Sequence, residues 1–268
     1  MTYQVDRRYT NQVINIPIMT MAQERIVVKV KHPRKPHTFY FETAPLITGK
    51  DMFVIKIPKM PESVLVRVYN ARNGNLDFDN SFKVGKITVG PIRLGFAINK
   101  IMDDNVSRFA QFSDWFSENA AILSDRNSVY VSDDGKFRID YKDVIRDDNG
   151  NELRTPARVN SKTGVIEIAK RYYMLLTVPG RRWTNWHEFS HVWKNENASN
   201  EFEADRNATI IYLGTGNPTV EAYNGAYRIF KNSPSNLNKQ RYDELNRFIR
   251  NFNKIMGKQI SQNSSAKS

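Results

Sequence analysis

The sequence contains no cysteine. Disulfides, thiolate zinc ligands, iron–sulfur clusters and a cysteine nucleophile are therefore excluded, and a metal site must use histidine, aspartate or glutamate. Histidine is scarce too, with only four residues. No run of about 18 apolar residues exists, so we expect no membrane-spanning helix and no membrane partner. The first residues lack an apolar segment behind their charges, so we expect no secretory signal.

Acidic residues are outnumbered: the formal net charge is +12 and the isoelectric point is about 9.7. Such an excess indicates either general solubility or a negatively charged partner, of which nucleic acid is one. Lys29, Lys31, Arg34 and Lys35 are clustered in the segment KVKHPRKPH. This basic patch is a candidate phosphate-binding loop, and an ordinary solvated loop is the alternative.

Residues 1–95 predict an antiparallel β-sandwich or barrel that serves as an interaction module. Segments rich in β-branched and aromatic residues alternate in polarity and are separated by Pro, Gly and Asn. The predicted strands lie in Glu24–His32, His37–Thr43, Asp51–Lys59, Ser63–Asn70 and Lys83–Phe96.

Residues 96–258 predict a second domain, so the expected fold class is α+β. Apolar residues recur at helical spacing from Asn99 to Leu123, which indicates a helix with one buried face. Short strands follow in SVYVS, KFRIDY and Gly164–Ala169, the last after a predicted hairpin turn at SKTG. From Pro179 to about Gly257 the pattern is helical, and residues 259–268 are expected to form a flexible tail.

The segment TNWHEFSHVWKNENASNEFEADRNA, residues 184–208, has the pattern of a metal site. His187 and His191 are four apart, so on a helix both imidazoles lie on one face and can bind one ion. Glu188 is displaced by about 100° around the axis, where it can reach a water on the ion without being a ligand.

A carboxylate is the expected third ligand, since no other histidine is near in the sequence. Glu201 and Asp205 share one helix face, whereas Glu203 points the opposite way. We therefore expect Glu201 to bind the metal and Asp205 to hydrogen-bond a ligand histidine. Glu196 is the alternative ligand. The alternative explanation of this pattern involves no metal: two surface histidines on an amphipathic helix lie beside an acidic turn.

These residues resemble the zincin metallopeptidases, specifically the glutamate-liganded (gluzincin-like) branch, through T-N-W-H-E-F-S-H-V-W followed by E-F-E-A-D. The resemblance implies zinc on His187, His191 and Glu201, with Glu188 as general base and Asp205 behind a histidine. It also implies a backing helix and a small mixed sheet whose edge strand lines the cleft, for which Asn99–Leu123 and Gly164–Ala169 are the candidates. The spacing between His191 and Glu201 is shorter than in many secreted relatives and requires an abrupt turn. This compact spacing, the absence of a signal and the Asn-rich composition together resemble zincin-like proteins of tailed bacteriophages.

The function implied is zinc-dependent hydrolysis of a protein or peptide substrate. Candidate donors to the oxyanion are Tyr212, Tyr223, Tyr227 and Arg206, and core packing is the alternative for each tyrosine. The other function considered is a structural component of a virion or its portal and tail region. The zincin fold would then contact neighbouring proteins or further copies of the chain. Either function is expected in the cytoplasm or within a virion.

Overall fold

The computed structural model describes residues 1–74, 79–92, 102–124, 126, 128–232 and 234–265. The chain has the predicted α+β class and separates into two compact units. One unit is Met1–Arg93 with Gly216–Pro218, and the other is Leu94–Thr215 with Thr219–Ser268. Of the helices described, none has the length and apolar character needed to cross a membrane.

The first unit contains an antiparallel sheet of seven strands. These are β1 (Thr2–Asp6), β2 (Gln12–Lys31), β3 (Phe39–Thr43), β4 (Leu46–Ile57), β5 (Ser63–Asn70), β6 (Phe82–Val84) and β7 (Thr88–Pro91). Each predicted strand segment overlaps one or two of them; residues 93–96 of the last lie outside the described residues. The finer prediction of a sandwich or barrel stays a prediction.

The strand β2 is 20 residues long and organises this sheet. The first half of β2 pairs with β4 along one edge and with β6 and β7 along the other. The second half pairs mainly with β3 and β5. A register shift between Thr20 and Glu24 separates the halves. Alternate side chains such as Ile14 and Ile16 are fully buried, so the first half of β2 belongs to the core.

The second unit combines helices with small sheets. Its elements are α1 (Asp104–Asn119), β8 (Ser128–Val131), β9 (Arg138–Lys142), β10 (Ile145–Arg146), β11 (Glu152–Leu153), β12 (Ala157–Val159), β13 (Ile166–Ala169), α2 (Lys170–Tyr173), α3 (Val178–Trp193), α4 (Glu201–Gly214), α5 (Thr219–Asn232) and α6 (Asn236–Ser265). Four strands form one sheet in the order β12-β13-β9-β8, in which β13 and β9 are parallel. Residues 99–101 of the predicted first helix and 266–268 of the predicted tail lie outside the described residues, and the flexible tail stays a prediction.

The edge strand of this sheet is β12, so the expectation that Gly164–Ala169 lies at the edge was wrong. That segment contains β13, which has a neighbour on each side. The hairpin turn predicted at SKTG is present, with the Gly164 N–H donating to the Asn160 carbonyl at 2.8 Å. It connects β13 to β12, a strand of three residues that is too short to produce a recognisable alternation.

The helix α3 lies at the centre of the second unit and is buried from Val178 to His191. The Thr177 side chain caps it by accepting from the Gly180 N–H. On one side Phe109 of α1 packs against Trp186 and Phe189, with ring centroids 5.1 and 4.5 Å apart. These aromatic contacts fix the helix that carries both histidines.

Candidate metal centre

A tight turn joins α3 to α4, as the short spacing in the sequence predicted. His191 Nδ1 lies 2.6 Å from the Ala198 carbonyl oxygen, which anchors the turn to α3. The Asn200 side chain then caps α4 by accepting from the Glu203 N–H at 3.1 Å. Glu203 in turn accepts from the Glu196 N–H at 3.0 Å. The exposed Glu196 thus belongs to the turn and lies outside the group of residues that could hold an ion.

The turn brings His187, His191 and Glu201 to one point. The two Nε2 atoms are 3.1 Å apart, and the Glu201 oxygens lie 3.3 Å from His187 Nε2 and 3.7 Å from His191 Nε2. Donor atoms around a tetrahedral zinc ion, at about 2.0–2.2 Å from it, are about 3.3–3.6 Å from one another. The three residues therefore fit one ion with little rearrangement.

The outer nitrogens of both histidines decide which form each ring adopts. His191 Nδ1 faces a carbonyl oxygen, and His187 Nδ1 lies 2.9 Å from Asp205 Oδ1, so both Nδ1 atoms must carry hydrogen. In the neutral rings both Nε2 lone pairs would then point at each other. A proton on one Nε2, or a metal ion bound by both, would remove this repulsion.

The acidic neighbours make a proton the occupant in metal-free protein. Burial alone would lower the pKa of His187, but Asp205 and Glu201 raise that pKa to about 10. Burial and the charge of His187 then lower the pKa of His191. His187 therefore carries the proton and His191 is its acceptor.

Asp205 occupies the position expected of it, and Arg241 of α6 holds it there. The Arg241 guanidinium donates to both oxygens of Asp205 at 2.8 and 2.9 Å. Its Nη2 also lies 2.9 Å from Glu201 Oε2. Burial would raise the pKa of both carboxyls, but His187 and Arg241 together keep both values low. Arg241 was not predicted from the sequence, where its only signal is its place among several basic residues of the last predicted helix.

Glu188 is buried beside the histidines, on the side of the edge strand. Its carboxylate accepts a hydrogen bond from the backbone N–H of Val159 in β12. Burial raises the pKa of Glu188 to about 7, although the charge of His187 opposes the rise. A carboxyl with this pKa can both accept and return a proton near neutral pH.

A cavity of about 370 Å³ opens onto these groups. Its wall contains β12 with the preceding Pro156, Trp183 and Thr184 of α3, and Phe230 of α5. His187, Glu188, His191, Glu201 and Arg241 all line it. The expected cleft beside an edge strand is thus present, although its edge strand is β12.

The four predicted oxyanion donors lie elsewhere and do not line this cavity. Tyr212 is fully buried, and Tyr227 is half exposed with its ring 6.2 Å from that of Tyr242. Tyr223 interacts with Arg250, and Arg206 is exposed beside a separate small cavity. Side-chain donors that do line the cavity, besides Arg241, are Thr155, Arg158, Ser161, Trp183 and Thr184.

The predicted basic patch is partly neutralised by acidic neighbours. Lys29 pairs with Glu42 at 2.7 Å, and Arg34 lies 3.5 Å from Glu62. His32 Nδ1 accepts from the backbone N–H groups that follow it in the loop, at 3.1 and 3.0 Å. The loop is therefore organised by its own contacts, and phosphate binding stays a prediction.

Comparisons of the chain with protein-family models, with curated proteins and with solved structures found no match. The resemblance to zincins therefore depends on residues 184–208 and on the contacts that surround them.

Proposed function

We propose that this protein is a zinc-dependent peptidase of the zincin type. The observation that carries the proposal is the convergence of His187 Nε2, His191 Nε2 and the Glu201 carboxylate, with separations of 3.1–3.7 Å between them. Two imidazoles and one carboxylate are a common protein ligand set for catalytic zinc.

The residues around this point have the properties that peptide hydrolysis requires. A zinc ion held there would supply a Lewis acid for the scissile carbonyl and the attacking water. Glu188 would accept a proton from that water and give it to the leaving amine. The Val159 N–H fixes its carboxylate, and Asp205 fixes the ring of His187.

The cavity wall supports a peptide as the substrate. In the described part of the chain β12 pairs only with β13, and it lines the cavity together with the metal site. Apart from the Val159 N–H, which is bonded to Glu188, the outer edge of β12 would offer its backbone groups to an extended peptide, which would add to the sheet as a further strand. The helix α1, packed against α3, would be the backing helix of the zincin arrangement.

Metal content and turnover of the purified protein test the proposal. We expect one zinc per chain and chelator-sensitive cleavage of peptide substrates. Glu188→Gln should keep zinc and reduce cleavage by about 10²-fold or more. His191→Ala and Glu201→Ala should lose zinc itself. Glu244→Gln, an exposed change on α6, is the matched control and should behave as wild type.

The outcomes separate the two functions considered. Absence of bound zinc under saturating conditions would refute the metal site. Zinc bound without cleavage of a broad peptide library would instead favour the structural role in a virion assembly. Fractionation of the host cell and of virus particles would then show whether the chain is cytoplasmic or part of a virion.

A further inference from the structure

We propose that Arg241 is a positioning residue that makes Glu201 a one-oxygen ligand and so keeps one position on the metal open. This inference rests on the proposed zinc site. The helix α6 contributes none of the expected ligands. Through Arg241 it would nevertheless control how the metal is coordinated.

The contacts of the guanidinium show that it is shared between two carboxylates. Nε and Nη2 form a fork on Asp205, at 2.8 and 2.9 Å. The same Nη2 lies 2.9 Å from Glu201 Oε2. The side chain of Arg241 is 11% exposed and that of Asp205 is 5% exposed, so the bonds between them are formed largely away from water, whereas Glu201 is 38% exposed.

Arg241 also contacts two residues that are not expected metal ligands. Its guanidinium lies 5.0 Å from the centre of the Phe230 ring, and Nη1 lies 3.4 Å from Asn238 Oδ1. These contacts help to hold the guanidinium where it meets both carboxylates.

A carboxylate ligand can bind zinc through one oxygen or through both. Two-oxygen binding by Glu201, added to the two histidines, would fill the fourth position that a catalytic site keeps open. Because Arg241 already occupies one lone pair of Oε2, Oε2 is the weaker metal donor, and Oε1, 3.7 Å from His191 Nε2, is the oxygen that would bind the ion. Arg241 thereby sets the number of metal bonds without touching the metal.

Cobalt(II) substitution tests this directly, because four-coordinate Co²⁺ absorbs visible light much more strongly than Co²⁺ with more ligands. The proteins compared are wild type, Arg241→Gln, Arg241→Lys and Arg247→Gln, the last being an exposed change on the same helix. We expect wild type and Arg247→Gln to bind one Co²⁺ with intense absorption. Arg241→Gln should still bind one Co²⁺ but lose most of that intensity as Glu201 adds its second oxygen.

The other possible results would contradict either the positioning role of Arg241 or the proposed zinc site. An unchanged Co²⁺ spectrum in folded Arg241→Gln overturns the positioning role. If that variant does not fold, Arg241→Lys, which cannot bond both carboxylates as the fork does, gives the same readout. Unfolding of both variants overturns the proposal in favour of a purely structural arginine. Failure of the wild type to bind Co²⁺ or Zn²⁺ refutes the proposed function itself.

Discussion

His187 has a carboxylate near each ring nitrogen, Asp205 at Nδ1 and Glu201 at Nε2. In metal-free protein these neighbours keep the ring protonated, whereas a zinc ligand must be neutral. A metal ion bound as proposed would therefore compete with the proton for the same nitrogen. The pairing of His187 with His191 could be predicted from their spacing. The raised pKa of His187 could not be predicted, because it depends on the burial of the ring and on how close the two carboxylates come to it.

This competition predicts opposite effects of pH on the metal-free and zinc-bound protein. The pKa of His187, raised to about 10, exceeds its unfolded value near 6.5, so its stabilising contribution is complete below about pH 6.5 and is lost as pH rises through about 10. The raised pKa of Glu188 acts in the same direction, with loss as pH rises through about 7. We expect the melting temperature with chelator to fall between about pH 7 and 9, and the gain caused by zinc to grow.

Thermal unfolding with chelator and with zinc, at several pH values, measures both trends. In the control His187→Gln, the part of the pH dependence that comes from His187 should disappear. A zinc-induced gain that is the same at every pH would contradict the prediction.

A second prediction concerns Asp205. Asp205→Asn keeps an oxygen near His187 but removes the charge that Arg241 and His187 share. We expect zinc affinity to fall by about 10–100-fold, as is typical when the partner of a ligand histidine is replaced. Competition with a chromophoric chelator measures this. Asp243→Asn, an exposed change on α6, should leave the affinity unchanged.

At the scale of elements, strands with a long, regular alternation were predicted more accurately from the sequence than short or interrupted ones. Ser63–Asn70 coincides with β5 because its alternation is regular over the whole strand. The first half of β2 was missed although Ile14 and Ile16 alternate, since Pro17 argues against a central strand. In the fold Pro17 lies between the residues that pair with β7 and those that pair with β6. Its missing N–H is tolerated there, and its carbonyl accepts from Gly85 at 2.8 Å.

The hairpin of β12 and β13 yields a prediction at this scale. Gly164 has φ +71°, and a Cβ there would lie 3.0 Å from the ring of Trp193. Gly164→Ala should therefore destabilise the fold by more than the ~1–2 kcal/mol of a left-handed residue alone. It should also reduce cleavage, because the hairpin carries the Val159 N–H that fixes Glu188.

Gly150→Ala is the matched control for this change. Gly150 has φ +83°, but a Cβ there would meet nothing within 4 Å. Denaturant unfolding and peptide cleavage of both variants give the comparison. Equal losses of stability and activity would show that contact with Trp193 has no role.

At the scale of the whole molecule, the sequence predicted which side chains of α3 and α4 come together, but it did not predict the contact that α6 adds. His187, His191, Glu201 and Asp205 come together because spacings of four residues place side chains on one helix face. Arg241 joins them from a helix 36 residues beyond Asp205, and only tertiary packing determines that contact.

The net charge of +12 gives a prediction about polyanions. Nucleic-acid binding by the basic patch should weaken steeply with salt, and log K against log salt should lose about one unit of slope for each phosphate contact removed. Because Lys29 and Arg34 have acidic neighbours, replacing all four patch residues with Ser should lower the slope by fewer than four units.

Fluorescence anisotropy with a labelled oligonucleotide at several salt concentrations measures this slope. The control replaces the exposed Lys50, Lys83 and Lys86 with Ser, which removes charge from the same unit outside the patch. An equal change of slope in both variants would mean that the patch is not a specific phosphate site.

The ring of Trp183 lies against that of His187, with centroids 5.8 Å apart and planes at 28°. A protonated imidazole in contact with an indole quenches its emission by taking up the excited electron, whereas a neutral imidazole does so far less. The indole is also held in place, since its Nε1 donates to Thr209 Oγ1 at 3.0 Å. If a metal ion binds as proposed and replaces the proton, the emission of Trp183 should increase, so tryptophan fluorescence would report metal binding.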